Sequence, residues 1–324
     1  MLHLLNGDAV LPAMRSAGLP GECAVWGDVL WEGPLLPDVT PEEQRLARAT
    51  WFAWPEGDLR ETLRMAEAWD RAIEGAARHD EVIIWLEHDL HDQFQLLHHL
   101  AWFARQPHPR LTLICISEFP GVVPFHGLGQ LRSDQLATLF PTRQPVTPAQ
   151  LDLGRRGWQA LHEPSPLALE RFGRGDTTAL PHLGAAIRRF LEEYPDTRTG
   201  LSRTERMILE ALSQGASGPG ELFLALQRRE ERVFMGDYSF WRILHALGSG
   251  PEPLVRLIPE PVPGQVLPRG GASITEAGRA VLAGRKDRVA LLGIDRWLGG
   301  VHLQGTSVPW RWNRTTQHLQ PRET

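Results

Sequence analysis

Four short runs of consecutive apolar residues constrain this chain most: LHLLNG (2–7), ECAVWGDVL (22–30), EVIIWLE (81–87) and LTLICISEF (111–119). A strand with one wet face alternates apolar and polar residues. These runs do not alternate, so both of their faces must be covered, as in a parallel sheet. Helical patterns lie between them, at 9–17, 41–54, 58–77 and 90–105. Strand and helix in alternation predict an α/β unit: an open, mainly parallel, Rossmann-like sheet in three layers.

From about Gly127 the texture changes to helices alone. SDQLATLF, TPAQLDLGRRGWQALHE, SPLALERFG and PHLGAAIRRFLEEYP each open at Ser, Thr or Pro, which suit helix starts. Ser202 with Glu205 three residues on is a capping box, opening a further unit. Three helices follow (203–213, GPGELFLALQ and GDYSFWRILHALG), then an extended pair, PLVRLIPEP and ASITEAGRAVL, in a winged-helix-like order. The tail reads as a Gly-turned hairpin with Trp297, Trp310 and Trp312 for packing. The expected organisation is an α/β domain over 1–126, a helical connector over 127–200, a winged-helix-like domain over 201–290 and a Trp-rich tail over 291–324. A chain of 324 residues with 42% hydrophobic residues has room for such units and their cores.

In an open parallel sheet, ligands bind outside the carboxyl ends of the strands. Each predicted strand delivers acids to that edge: Asp8 after the first, Asp28 and Glu32 after the second, Glu87, Asp89 and Asp92 after the third, Glu118 after the fourth. Clustered carboxylates repel one another unless protonated or bridged by a cation, so Mg²⁺ or Mn²⁺ is the natural partner. The expected ligand set is Asp8, Glu87, Asp89, Asp92 and Glu118. His88, His91 and Glu32 are the candidates for proton transfer, and the turn residues Asn6, Gly7 and Gly33 for contact with a phosphate or cofactor. The plainer reading competes. Asp8 and Asp89 each precede a helix, where one acid serves as a cap worth about 1 kcal/mol, and Asp92 sits in the favourable first turn. His98 and His99 read as surface or packing residues.

Absent motifs exclude more firmly than the acids include. No Gly-x-Gly-x-x-Gly fingerprint, no P-loop and no Gly-x-Ser-x-Gly elbow occurs, which speaks against nicotinamide, flavin, P-loop ATPase and esterase chemistry. Cys23 and Cys115 lie in apolar runs without Cys-x-x-Cys spacing, as buried free thiols do in a reducing cytosol. No apolar run reaches the roughly 18 residues of a membrane helix, and the expected location is the cytoplasm with no membrane partner. A net charge of −5 argues against a polyanion coat. Within 201–290 the charge is close to balance, and GDYSFWRILHALG offers only Arg242 and His245 to a groove, so a packing or protein-contact role is favoured over DNA reading.

The blocks HLLNGDAV, VWGDVLWEGPL, WLEHDLHDQFQL, GLSRTE, MGDYSFW and DRWLGGVHL…WRW together resemble, over most of the chain, the bacterial family known as domain of unknown function 1835. The resemblance implies an N-terminal domain built around Asp8, Glu32 and residues 87–93, with a C-terminal extension, and carries no catalytic role. Two functions stand as expectations. The first is a divalent-metal-assisted hydrolase or transferase acting on a phosphate-containing substrate, a nucleotide or nucleic acid. The second is a non-catalytic regulator whose α/β domain senses a ligand while its winged helix meets DNA or a protein.

Overall fold

The computed structural model describes residues 1–53, 57–258 and 270–321. Two expected ends, of the helix over 41–54 and of the run PLVRLIPEP (253–261), lie outside the described residues at 54 and at 259–261. The fold is mixed α/β, and its N-terminal sheet is mainly parallel.

That sheet has the order β2-β1-β4-β5-β6. Strands β1 (Leu2–Leu5), β2 (Glu22–Val25), β4 (Glu81–Glu87) and β5 (Arg110–Ile116) run parallel, in the register Leu2↔Glu22, Leu2↔Val82 and Glu81↔Arg110. The four apolar runs therefore are the four parallel strands. Central β4 shows why they are apolar on successive residues. Val82, Ile84 and Leu86 enter one core while Ile83 and Trp85 enter another. Helix α1 (Leu11–Ser16) and helix α5 (Ser133–Leu139) cover the second face through Met14, Leu136 and Leu139. Helix α4 (Leu90–Phe103) covers the first through Phe94, Leu97 and Leu100.

Two expectations need correction here. The second run forms a strand only to Val25, on the sheet's edge, and Trp26 to Glu32 turn away, held by Arg48 of helix α2 (Pro41–Ala53). The chain after 127 is not helical alone: a two-residue strand, β6 (Gln144–Pro145), adds antiparallel to β5. Helix α3 (Leu59–Glu74) precedes β4, and Asp58 caps it through Arg60 N.

Helices α6 (Pro148–His162), α7 (Pro166–Arg174) and α8 (Leu183–Leu191) follow; α6 packs on α4 so closely that Gly154 would place a β-carbon 3.2 Å from Leu100 Cα. The Ser202–Glu205 capping box opens α9 (Arg203–Ser213). Helices α10 (Pro219–Gln227) and α11 (Asp237–Leu247), the antiparallel pair β7 (Val255–Ile258) and β8 (Gly271–Ile274), and helix α12 (Glu276–Leu282) complete that unit. After α13 (Arg288–Leu292), the tail forms two hairpins: β9 (Ile294–Gly299) with β10 (Val301–Gly305), and β11 (Trp310–Asn313) with β12 (His318–Pro321).

The tail does something no local pattern foretells. β9 pairs in parallel with β3 (Gly33–Pro34), Gly33 opposite Leu298. Gly299 and Gly300 turn the hairpin against α6, where Gly300 N donates to Leu161 O at 2.8 Å. At φ +62, with a β-carbon 2.5 Å from Leu161 O, position 299 tolerates only glycine. One continuous apolar core thus runs from Leu2 to Leu319.

Candidate functional site: a buried carboxylate triad

Strand β4 is buried along its whole length and ends on Glu87. Two residues later Asp89, in extended backbone, starts α4 and caps it, its Oδ1 accepting from Asp92 N at 3.1 Å. Asp92 sits on the first turn of that helix and points back at the strand, its Oδ2 accepting from Glu87 N at 2.6 Å. A strand end, a cap and a first-turn acid therefore put three carboxylates within 4.8 Å of one another. Their relative exposures are 6%, 3% and 1%, so water does not screen them. Capping and clustering, which competed as readings of Asp89, are both realised.

The donors around the group come from far along the chain. Asn6, after β1, donates through Nδ2 to Glu87 Oε1 at 3.1 Å and to Asp92 Oδ2 at 2.9 Å. Leu128 N donates to Glu87 Oε1, and Gln93 Nε2 to Glu87 O at 2.7 Å. Gly127, at φ +150, lies against the Glu87 carboxylate; a β-carbon there would come 2.8 Å from Cδ. Asn6 was expected at this edge. Gly127 and Leu128 were not, because a glycine that must yield space to a carboxylate 40 positions away leaves no local signal.

Neutral amides satisfy these oxygens, and among the described residues no Lys, Arg or His side chain pairs with them. Burial, then the neighbouring Asp89 charge, push the Glu87 carboxyl up to about 8. Burial raises Asp89 to about 6. Burial and the charges of Glu87 and Asp89 carry Asp92 well above the usual carboxylate range. At neutral pH the group holds protons unless a cation displaces them.

The remaining expected residues do not join it. The Asp8 side chain is exposed and caps nothing, since only its carbonyl accepts from Leu11 N. Glu118 is exposed beyond β5. Gly7 follows Asn6 in a half-buried turn with open space around its Cα. Asp28 and Glu32 do not join the triad; the Asp28 backbone lies beside Asn6, Gln95 Nε2 donating to both carbonyls. Asp28 is held in a two-pronged pair by Arg48, at 2.6 and 2.7 Å. Glu32 is buried elsewhere, accepting from the Ser239 hydroxyl of α11, and its carboxyl is raised by burial. Gly33 belongs to β3 and approaches Trp51, a packing role.

The two histidines are neighbours, not members. His88 stacks on Phe125 and meets His182 edge-on, while Arg232 donates to its carbonyl at 3.0 Å. Burial, helped by Arg232, lowers its ring to about 4. His91 lies 3.0 Å from Gln95 Nε2, and burial lowers it to about 4 as well. Both rings are neutral at pH 7, and the protons reside on the acids instead. His98 and His99 do pack as expected, against Trp26, with centroids 4.2 and 5.0 Å away.

Helix α11 faces inward. Arg242 donates to Trp51 O at 2.8 Å and lies over the Trp51 and Phe52 rings; Tyr238 donates to Phe52 O. Among the described residues no helix is long and apolar enough to cross a membrane. No family model matches the chain, and no curated protein matches it.

Proposed function

We propose that the protein is a divalent-metal-dependent hydrolase or transferase acting on a phosphate-containing substrate, with Glu87, Asp89 and Asp92 as the metal ligands. One observation carries the reading: three buried carboxylates, no cationic side chain among their described partners, and a set of neutral amides that orient them. An all-oxygen, multiply anionic donor set suits Mg²⁺ or Mn²⁺ over softer ions. When bound, such an ion supplies charge neutralisation for phosphate oxygens and a more acidic water.

The chain's own residues do the rest. Asn6 and the Leu128 amide fix the carboxylate planes, so the ligands need no rearrangement on binding. Asp89 and Asp92 stand at the N-terminal end of α4, whose dipole favours negative charge there. Burial and the neighbouring Asp89 charge raise the Glu87 carboxyl to about 8, so it gives up its proton when it binds the ion, and ion uptake releases a proton near neutral pH. Asp8, exposed on the turn after Asn6, lies in the loop that a substrate would approach.

The regulator reading has less behind it. Of the two groups that α11 would offer to a DNA groove, Arg242 is turned onto Trp51 O and His245 lies beside Ser249 at the end of its own helix, and Arg229 and Arg232 of the basic run are bound to Met207 O and His88 O. Calorimetric titration of Mn²⁺ and Mg²⁺ into wild type and into the Asp89→Ala, Asp92→Ala double variant tests the proposal. Heat and a stable stoichiometry in wild type alone, with phosphatase or phosphodiesterase turnover that needs the ion, are expected. Negligible heat in both proteins ends it.

A further inference from the structure

On the turn between β4 and α4 that carries the triad stands a group of opposite character: His88, His182 and Arg232, with the Phe125 ring against them. His88 lies between Glu87 and Asp89 in sequence, and Phe125 lies two residues before Gly127, which approaches the Glu87 carboxylate. All four residues are half-buried and keep surface open to solvent.

Contacts draw the group together. The His88 ring meets His182 edge-on at 5.8 Å between centroids and stacks on Phe125 at 6.4 Å. Arg232 Nη1 donates to His88 O at 3.0 Å and to His182 O at 3.4 Å, so the guanidinium bridges the two histidines. Burial, then the Arg232 charge, lowers both imidazoles, which are neutral donors at pH 7. The loop that presents Arg232 is anchored two residues earlier, where Glu230 pairs with Arg189 at 2.6 Å.

Hydrogen-bonding capacity is left over in this group. Among the described residues Arg232 pairs with no carboxylate, its Nε and Nη2 hydrogens meet no acceptor, and the adjoining Glu231 is exposed. Other enclosed arginines do meet acids: Arg48 takes Asp28, Arg189 takes Glu193 and Arg288 takes Glu205. Neither imidazole ring hydrogen-bonds to a described residue. His88 Nδ1 is buried without a partner, so Nε2 is the ring nitrogen left for a ligand. A guanidinium with no acid of its own, beside two neutral N–H donors, fits an oxyanion, and its planar fork matches phosphate oxygens.

We propose that Arg232, His88 and His182 form a phosphate-binding subsite for the substrate of the adjoining triad, an inference that rests on the metal-dependent reading of that triad. Arg232 offers its Nε–Nη2 edge to two oxygens, and the imidazoles donate to a third. Three donors suit a terminal phosphate, with three free oxygens, over a diester, with two. The substrate is therefore a phosphate monoester.

Inorganic phosphate is the probe, titrated calorimetrically into the full chain with a chelator present, and dimethyl phosphate is its diester counterpart. Wild type is expected to bind phosphate at about millimolar concentration and dimethyl phosphate at least about threefold more weakly, for the lost hydrogen bond. Arg232→Met weakens phosphate at least about tenfold, as loss of a charge-assisted fork requires. His182→Phe keeps a ring against His88, leaves the melting temperature unchanged and weakens phosphate about threefold to tenfold; it decides the matter should Arg232→Met not fold. Mn²⁺ titration of the same proteins separates the two readings. Phosphate binding that depends on Arg232 and His182 without any uptake of Mn²⁺ keeps the subsite and ends only the metal reading. Failure of wild type to bind phosphate, or equal binding by wild type and His182→Phe, overturns the subsite even where Mn²⁺ binds. Equal binding of dimethyl phosphate overturns the monoester.

Discussion

The side-chain amide of Asn6 lies 2.9 Å from Asp92 Oδ2, joining positions 86 apart in sequence. The same nitrogen reaches Glu87 Oε1 at 3.1 Å, so one NH₂ group, with two hydrogens, serves two buried acids. Asn6→Ala removes both donations and leaves the oxygens without replacement. The expected loss is about 1–3 kcal/mol in urea unfolding of the cation-free protein. Saturating Mn²⁺ would recover part of it. A loss below about 0.5 kcal/mol would mean that water or a proton already serves these oxygens.

Asp89→Asn separates cap from charge. Asparagine caps helices as well as aspartate does, so α4 keeps its start. Removing one of three like charges lets Glu87 ionise more easily. The cation-free variant is therefore expected to be more stable than wild type at pH 8, where wild type must hold or shed protons against burial. Divalent-cation stabilisation, measured as a melting-temperature rise, is expected to vanish. A variant both less stable and still stabilised by Mn²⁺ would remove Asp89 from the ligand set.

Much of the sheet and only part of the site are legible in the sequence, and the division has a physical cause. β4 is readable because both of its faces are buried, which forces Val82 to Leu86 to be apolar. Glu87, Asp89 and Asp92 are readable because a strand end and a helix start lie within six residues of each other. Asp8, Glu32 and Glu118 mislead because a position after a strand does not fix where a side chain points. β2 stops at Val25, since Arg48 captures Asp28 and the Val29 carbonyl. The pairing of Gly33 with Leu298 joins strands 265 positions apart. Two-residue strands carry no periodicity, so nothing local announces it.

Gly127→Ala tests how tightly the loop after β5 closes on the site. Its φ of +150 disfavours any side chain, and the β-carbon would meet the Glu87 carboxylate. Loss of about 2–4 kcal/mol is expected from strain and displacement together. Gly121→Ala is the control: its φ is +80, and a β-carbon there meets nothing within 4 Å. It pays only the backbone term. Cation affinity should fall in the first variant and stay unchanged in the second.

Two sets of shifted groups give stability a pH dependence of opposite sign. His88, His91 and His99 have folded-state values lowered to about 4, about 4 and about 3 from 6.5. Their contribution is complete above 6.5 and is lost as pH falls through that window, because the unfolded chain binds the protons. Glu87 is raised, so its contribution is present below its ordinary 4.5 and is lost as pH rises through about 8. Cation-free protein is thus expected to weaken towards both ends. Mn²⁺ competes with protons for the acids, so its stabilising effect should grow from pH 5 to pH 8. A rise in melting temperature that is the same across that range would place the ion elsewhere.

Glu205 ties the tail to the body of the protein. It is 1% exposed, closes the capping box of α9 and accepts from Arg288 and Arg296. Glu205→Gln preserves shape and the box but strips two buried guanidinium groups of their shared carboxylate. Breaking a buried pair from one side costs about 3–5 kcal/mol. Glu210→Gln, on an exposed carboxylate 3.9 Å from Arg206, should change stability by less than about 0.5 kcal/mol. Hydrogen exchange distinguishes local from global loss. If Glu205 holds the tail, amides of β9 and β10 lose protection in Glu205→Gln well before those of β4, and equal loss in all three would show that the acid supports the whole core instead.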